Sequence, residues 1–403
     1  MEELIVLSGC GVFVGLSIYA SNQSFESSSR HGHGISSYTA VTNAVSVSAG
    51  RISFAYGLKG PAMCLDTACS SALVASSVAF QTDIQTSYVS CIALLLTPTA
   101  SDAFHASGML ASDGRCKTMD ARANGYVRSE GCYSLLLDVN HDNRVRMLCC
   151  VINQDGRSSS LTAPNGNSQS SLLRDALVLS ASDSLISNFE LHGTGTALGD
   201  PIEMGAIQSS VAHCQIGSFG AAKSRQGHAE ACAGMRGLLN SVACSSRSIC
   251  APFTHLVTLN QYVRESLGSD ALALSRMQYA TLSSRVNVSS FGFSGPMPMP
   301  CWTCVAKDAI YLKMLRFIIF WSNLSSASTT WATACVRTFP FQTSTSMVES
   351  ASNPGHLRRC SWHCVSLLKR PCIPSIAAVR QATPRRCCST GACSLTILLV
   401  AAG

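Results

Sequence analysis

The chain has 403 residues, 47% of them hydrophobic and 13% charged, with a net charge of +7. Such a composition excludes a disordered chain, and the length allows one large or two medium domains around a sizeable core. The charge is lopsided: residues 1–295 hold 18 basic and 20 acidic side chains, whereas residues 296–403 hold 11 basic ones against only Asp308 and Glu349. The basic excess belongs to the tail, which removes it as a sign that the body binds nucleic acid.

Of the 21 cysteines, 12 are scattered through residues 1–295. Without framework spacing they read as thiols of a reducing compartment. Met1-Glu2-Glu3-Leu4 lacks the basic start of a secretory signal. The longest apolar stretch, Ala309 to Leu324, is broken by Lys313 and Arg316, short of the ~18 residues that span a bilayer. These features predict a cytoplasmic or plastid protein with neither membrane nor nucleic-acid partners.

Along the chain, residues 4–19 read as an apolar strand region punctuated by Gly9, Gly11 and Gly15, and residues 39–56 as a helix running into a turn at Gly57. Ala62 to Asp66 suits a buried strand, followed by small residues and a helix from about Ser71 to Gln81, which puts Cys69 at a tight turn. Residues 113–137 begin as loop and end in a strand, Tyr133 to Leu137. Asn153-Gln154-Asp155-Gly156 is turn chemistry, and Gln169 to Ser180 reads as an amphipathic helix. Phe189 to Asp200 is a strand entering a Gly/Thr loop, and Pro201 opens a helix, where its missing N–H is harmless. Ala221 to Asn240 repeats that pattern, a loop with Lys223 and His228 before a helix. Alternating strands and helices predict α/β layers.

Three constellations carry chemistry. In Asp66-Thr67-Ala68-Cys69-Ser70-Ser71 a cysteine stands at a helix start, where the macrodipole lowers a thiol pKa and frees the thiolate for acyl transfer; taken alone, Cys69 reads first as a buried structural thiol, one of 12 cysteines in the body. His192-Gly193-Thr194-Gly195-Thr196 offers a histidine, hydroxyls and glycines that let a thin ligand arm approach, or else a Gly-rich turn with an incidental histidine. Lys223-x-x-x-Gly227-His228-x-Glu230 is the third, with a solvated helix start as its plain reading.

In this order the three boxes resemble those of the β-ketoacyl synthases, the decarboxylating condensing enzymes of the thiolase superfamily, most closely the type I polyketide synthase branch. Gly11-Val12-Phe13-Val14-Gly15, Gly125-Tyr126-Val127-Arg128, Asn153-Gln154-Asp155-Gly156-Arg157 and Ser289-Ser290-Phe291-Gly292-Phe293 also match. The resemblance implies a thiolase-like α/β fold of two similar halves layered α-β-α-β-α, with a nucleophile half in 1–140 and a histidine half in 141–295. It implies an acyltransferase acting on phosphopantetheine thioesters of an acyl carrier protein, with no bound cofactor or metal. Cys69 would take the acyl chain, and His192 and His228 would donate to the enolate formed when a malonyl thioester loses CO₂. The N–H groups of Cys69 and Phe293 would form the oxyanion hole, Thr194 and Thr196 would hold the carrier arm, and Lys223 would pair with Glu203. A homodimer, or a place within a multidomain synthase, is expected.

Departures from the pattern make the fold incomplete at both ends. Only ten residues precede Gly11, so the first strand of the nucleophile half is expected to be missing, leaving an unpaired edge. Ile92 to Pro98 and the approach to Asn153 read as shortened, which predicts a register shift. After Gly295 the family continues Thr-Asn-Ala-His, whereas this chain reads Pro296-Met297-Pro298-Met299-Pro300. A one-base slip in codons for Thr-Asn-Ala-His-Ala yields that pentapeptide. Residues 296–403 are therefore expected to be an out-of-frame, poorly structured tail; its Cys360, His363, Cys364 and Cys387, Cys388 fit no zinc spacing. Two other readings follow from the departures: an inactive remnant, or a carrier-binding protein that keeps only the surface of a condensing enzyme.

Overall fold

A computed structural model describes residues 8–17, 38, 41, 44–139, 145–180, 185–186, 188–211, 215–246, 249–267, 274, 279–280, 285–293, 296–304 and 393–396. The main sheet uses β1 (Gly11–Leu16), β2 (Ala62–Leu65), β3 (Thr86–Ala93), β4 (Gly131–Asp138), β5 (Val145–Gln154), β6 (Asn188–Glu190), β7 (Phe219–Gly220), β8 (Arg285–Val288), β9 (Pro296–Cys304) and β10 (Cys393–Thr396). The principal helices are α1 (Val47–Tyr56), α2 (Ser71–Gln81), α3 (Thr99–Ala106), α4 (Gly166–Leu179), α5 (Gly199–Ser210), α6 (Ala233–Ser246) and α7 (Gln261–Leu267).

The sheet runs β2-β1-β3-β4-β10-β5-β9-β8-β6-β7. Read inward from either end, the two halves carry the same pattern. β1 is parallel to β2 and β3, as β6 is to β7 and β8. β4 is antiparallel to β3, as β9 is to β8. β10 and β5 then close the two sets and pair antiparallel to each other at the centre. The two similar halves expected from the motifs are thus visible as a repeated strand order, with the change of half between β4 and β5.

Three sequence expectations change here. The edge of β4 is paired, because Ser394, Leu395 and Thr396 bond along Asp138, Leu137 and Leu136. β10 occupies the place that β5, the first strand of its half, occupies in the other set. The stretch from Ile92 does not shift the register: β3 and β4 pair without a break from Thr86↔Asp138 to Ala93↔Gly131. The expected tail is not devoid of regular structure either, since Pro296–Cys304 pairs with β5 on one side and β8 on the other. Backbone ladders tolerate many side-chain sequences, so a strand slot accepts a segment whose composition does not announce it. The tail's Cys360, His363, Cys364, Cys387 and Cys388 lie outside the described residues.

β1 is buried along its whole length and packs under α2. Gly15 is required there: a Cβ would stand 2.7 Å from the Ser71 backbone. One core joins the halves, with Phe13, Leu73, Val89 and Leu135 from the first meeting Met147, Met235, Leu238 and Val286 from the second. Each fully buried Leu or Phe of this layer stabilises by roughly 1.5–3 kcal/mol. α4, α5 and α7 cover a second core around Leu172, Phe189, Met204 and Phe219. No described helix is long and apolar enough to cross a membrane.

Candidate active site

The box around Cys69 is wired by its own side chains. Asp66 Oδ1 accepts from the Ala68 N–H at 3.0 Å, and Ser71 Oγ accepts from the Thr67 N–H at 2.8 Å while donating to the Ala68 carbonyl at 2.7 Å. Ser70 Oγ donates to the Thr67 carbonyl at 2.6 Å. These bonds hold Ala68 at φ +54°, a left-handed conformation that strains a residue with a Cβ. The strained turn lifts Cys69 out of a 3₁₀ turn, Ala68–Ser70, directly ahead of α2. Short polar residues at these spacings are why the turn forms.

His228 faces the thiol, with its Nε2 3.0 Å from Cys69 Sγ. It is fully buried. Its backbone N–H donates to the Val127 carbonyl at 2.7 Å and its carbonyl accepts from the Ser129 N–H at 2.9 Å. Tyr126 stacks edge-on against the ring at 4.8 Å. Arg236, from α6, ties the same loop down through Ser129 Oγ and the Gln226 carbonyl. The imidazole Nδ1 is buried with no hydrogen-bond partner among the described residues.

His192 stands perpendicular to His228, ring centroids 5.6 Å apart. The Phe291 N–H donates to its Nδ1 at 3.2 Å, which places the ring proton on Nε2. Glu203 fixes the backbone beneath it, accepting from the N–H groups of His192 (2.7 Å) and Gly193 (2.8 Å) and from Ser289 Oγ (2.6 Å). Ser290 Oγ reaches across and donates to the Cys69 carbonyl at 2.7 Å, linking the strand-end after β8 to the nucleophile turn. Thr194 and Thr196 hydroxyls lie 3.3 Å apart. Gly195, at φ +80°, leaves no room for a Cβ, which would meet the Lys117 backbone at 2.7 Å.

All these groups open on a cavity of about 280 Å³ lined by Cys69, His192, His228, Thr194, Thr196 and Phe293, among others. The six site residues that the motifs single out for contact with substrate thus share one space. Lys223 and Glu203 do not pair as expected. Glu203 spends its oxygens on the His192 loop and Ser289, and Lys223 has no ion pair among the described residues. The buried Lys223 acts through space: burial lowers its pKa, Glu203 and Glu190 oppose that, and its charge helps keep both histidines neutral.

The electrostatics correct one further expectation. Burial pushes the Cys69 thiol up to about 12, Glu230 adds to the rise, and Lys223 only partly offsets it. The helix-start effect that predicts a ready thiolate is outweighed because the sulfur is out of water. Burial and Lys223 hold both histidines well below their usual value, and Arg236 and Arg128 add to the effect at His228. The resting pair is therefore a neutral thiol against a neutral imidazole.

Sequence reasoning passes over Ser289 and Phe291, which set the orientation and tautomer of His192. It also passes over Asp200, whose carboxylate accepts from the Met119 and Gly195 N–H groups and is raised to about 7 by burial. Each sits inside a quoted motif, but as a backbone partner whose role has no sequence signature.

Fold and site together define a thiolase-like protein in which Cys69, His192 and His228 line one cavity. Residues 2–143 match the model of the β-ketoacyl synthase N-terminal domain and residues 146–257 that of the C-terminal domain. Polyketide synthase GfsB of Streptomyces halstedii is 37% identical over 309 residues, covering 72% of this chain and 5% of that protein. A phenolphthiocerol/phthiocerol polyketide synthase of Mycobacterium tuberculosis is 38% identical over 281 residues, covering 65% of this chain and 13% of that protein. The ketosynthase from module 6 of the bacillaene synthase of Bacillus subtilis 168 superposes with a TM-score of 0.62 at 29% identity, covering 74% of this chain and 55% of that one. The oxazolomycin ketosynthase domain OzmH KS7 of Streptomyces albus JA3453 shares the fold, with a TM-score of 0.64 at 24% identity, over 77% of this chain and 57% of that one. The chain belongs to the β-ketoacyl synthase family, the acyl-transferring condensing enzymes of polyketide assembly. It spans a small fraction of its polyketide synthase relatives and about half the length of the ketosynthase structures.

Proposed function

We propose that this chain elongates an acyl chain by decarboxylative condensation on phosphopantetheine thioesters, and the contact between Cys69 Sγ and His228 Nε2 at 3.0 Å carries that reading. Cys69 Sγ attacks the carbonyl carbon of an acyl thioester. The bond to the carrier sulfur breaks, and the thiol proton passes through His228 Nε2 to the departing thiolate. With the sulfur acylated, Nε2 of both histidines faces the next thioester. A malonyl unit there loses its carboxylate as CO₂, and the electron pair becomes an enolate whose oxygen accepts from His192 Nε2–H and from His228 in the tautomer that carries its proton on Nε2. The enolate carbon attacks the acyl carbonyl, the bond to Cys69 breaks, and the released sulfur takes up one proton from water. The Cys69 and Phe293 N–H groups serve the tetrahedral oxyanion, and Thr194 and Thr196 steady the carrier arm. No resident cofactor takes part.

The partner is an acyl carrier protein, and the site of action is a reducing compartment, the cytoplasm in the first instance; the 11 cysteines whose side chains are described are free, in keeping with that. A homodimer is supported by the outer edge of the sheet. There Ala62 and Met63 of β2 are exposed beside Phe54 (91%) and Tyr56 (57%) of α1, an apolar edge of the kind that a second strand covers.

The test is intact-mass spectrometry of the protein with an acyl thioester and then a malonyl thioester. The first adds one acyl mass, and the second removes it as a chain-extended thioester with release of CO₂. Acylation that persists in Cys69→Ala would rule the reading out. The inactive-remnant reading is not favoured: the approach of His228 to Cys69 and the cavity they share with His192 support a working centre.

A further inference from the structure

Two acceptors lining the cavity have no assigned task. Asp155 Oδ1 and Gln169 Oε1 are both buried with no hydrogen-bond donor among the described residues, and both residues line the cavity that holds Cys69, His192 and His228. Gln169 is 98% buried. An unsatisfied buried acceptor is costly to keep, and native structures retain one where something else supplies the donor.

Neither group is a loose side chain that happens to face inward. Asp155 follows directly on β5, and its carbonyl accepts from Asn165 Nδ2 and Ser168 Oγ, both at 2.9 Å. Gln169 lies in the first turn of α4, its N–H donating to the Asn165 carbonyl at 3.0 Å. Asn165 caps that helix by accepting from the Asn167 and Ser168 N–H groups. The same asparagine therefore anchors both acceptors, and the loop 155–169 presents them as a fixed pair.

We propose that Asp155 and Gln169 form a donor-selective subsite, which favours thioesters bearing an O–H or N–H group over those bearing none. The proposal deepens the condensing-enzyme reading and rests on it. The donor has two sources, an amide of the carrier arm or a hydroxyl on the acyl chain, and the chemistry required of each is the same.

The experiment measures the rate of Cys69 acylation in the full chain by intact mass with three thioesters. S-ethyl butanethioate has no donor, N-acetylcysteamine butanethioate carries one on the arm, and S-ethyl 3-hydroxybutanethioate carries one on the acyl chain. One of the donor-bearing compounds reacts about ten-fold faster than the donor-free one, and which of them does so identifies the source. Gln169→Leu and Asp155→Ala, which remove the acceptors, each shrink the ratio of the donor-bearing rate to the donor-free rate. Gln169→Glu, which keeps an acceptor, retains it. Equal rates for all three compounds in the unmodified protein overturn the proposal, as does a preference that survives both Gln169→Leu and Asp155→Ala. If no thioester acylates Cys69, the condensing-enzyme reading fails and the subsite falls with it, an outcome distinct from acylation without preference.

Discussion

The molecule builds the same turn twice and gives it two different jobs. In the first half, edge strand β2 leads to Ala68 at φ +54°, a 3₁₀ turn and α2. In the second, β7 leads to Glu230 at φ +46°, a 3₁₀ turn over Glu230–Cys232 and α6. The two turns pack against each other. The first presents Cys69 and the second presents Ala231, one residue after each strained position. His228 stands two residues before Glu230, as Asp66 stands two before Ala68. Duplication thus supplies a matched pair of strained turns meeting at the centre, and substitution of a few side chains makes one the nucleophile and the other its partner.

Removing the sulfur separates the two turns most completely. Cys69→Ala should lower acyl transfer at least about a thousand-fold, and adding Ala231→Cys should restore nothing, because a thiol there has no imidazole placed like His228. Intact-mass labelling of both variants checks this.

The next contrast is in charge. The second turn depends on an ion pair between Glu230 and Arg128, whose side chains are 11% and 6% exposed. Arg128→Ala strands a buried carboxylate and should destabilise by about 3–5 kcal/mol, read by denaturant unfolding. Combining it with Glu230→Gln should recover part of that loss.

Titration should separate the halves too. The histidine pKa values are depressed, so the native imidazoles stay neutral while those of an unfolded chain protonate below about 6.5. Their contribution to stability is full above that pH and declines as pH falls through the folded values. Denaturation curves should show the decline, and the condensation rate should not drop for want of neutral histidine between about pH 8 and 6.5. Cys69 moves the other way. With its thiol raised to about 12, alkylation by iodoacetamide should keep climbing above pH 9, where an ordinary thiol levels off.

The smallest effect concerns the strain itself. Ala68→Gly should relieve the left-handed conformation and raise stability by about 0.5–1 kcal/mol net of the added freedom of the unfolded chain. Thermal unfolding reads it directly.

Much of the site is legible in the sequence because its chemistry is concentrated in short, contiguous boxes. Asp66 to Ser71 both makes the turn and carries the nucleophile, so the residues that shape the backbone are the residues that announce it. The apolar pattern starts α4 at Gln169, but the helix begins at Gly166, since Asn165 caps it from the turn side. α3 escapes notice because Thr99–Ala106 is only eight residues long and half-exposed. The Lys223–Glu203 pair fails for a different reason. Opposite charges in neighbouring motifs invite pairing on paper, but Glu203 meets closer backbone donors first.

The sequence by itself determined the family and the boxes that hold Cys69, His192 and His228, because each box is encoded by residues adjacent in the chain. Only the tertiary structure decided the protonation of the centre and the closure of the sheet. Burial depends on what packs around the sulfur, and it outweighs the helix field that the local sequence supplies. Strand pairing depends on backbone groups that every residue shares, so nothing in Cys393–Thr396 foretold that it would complete the half whose first strand was expected to be missing.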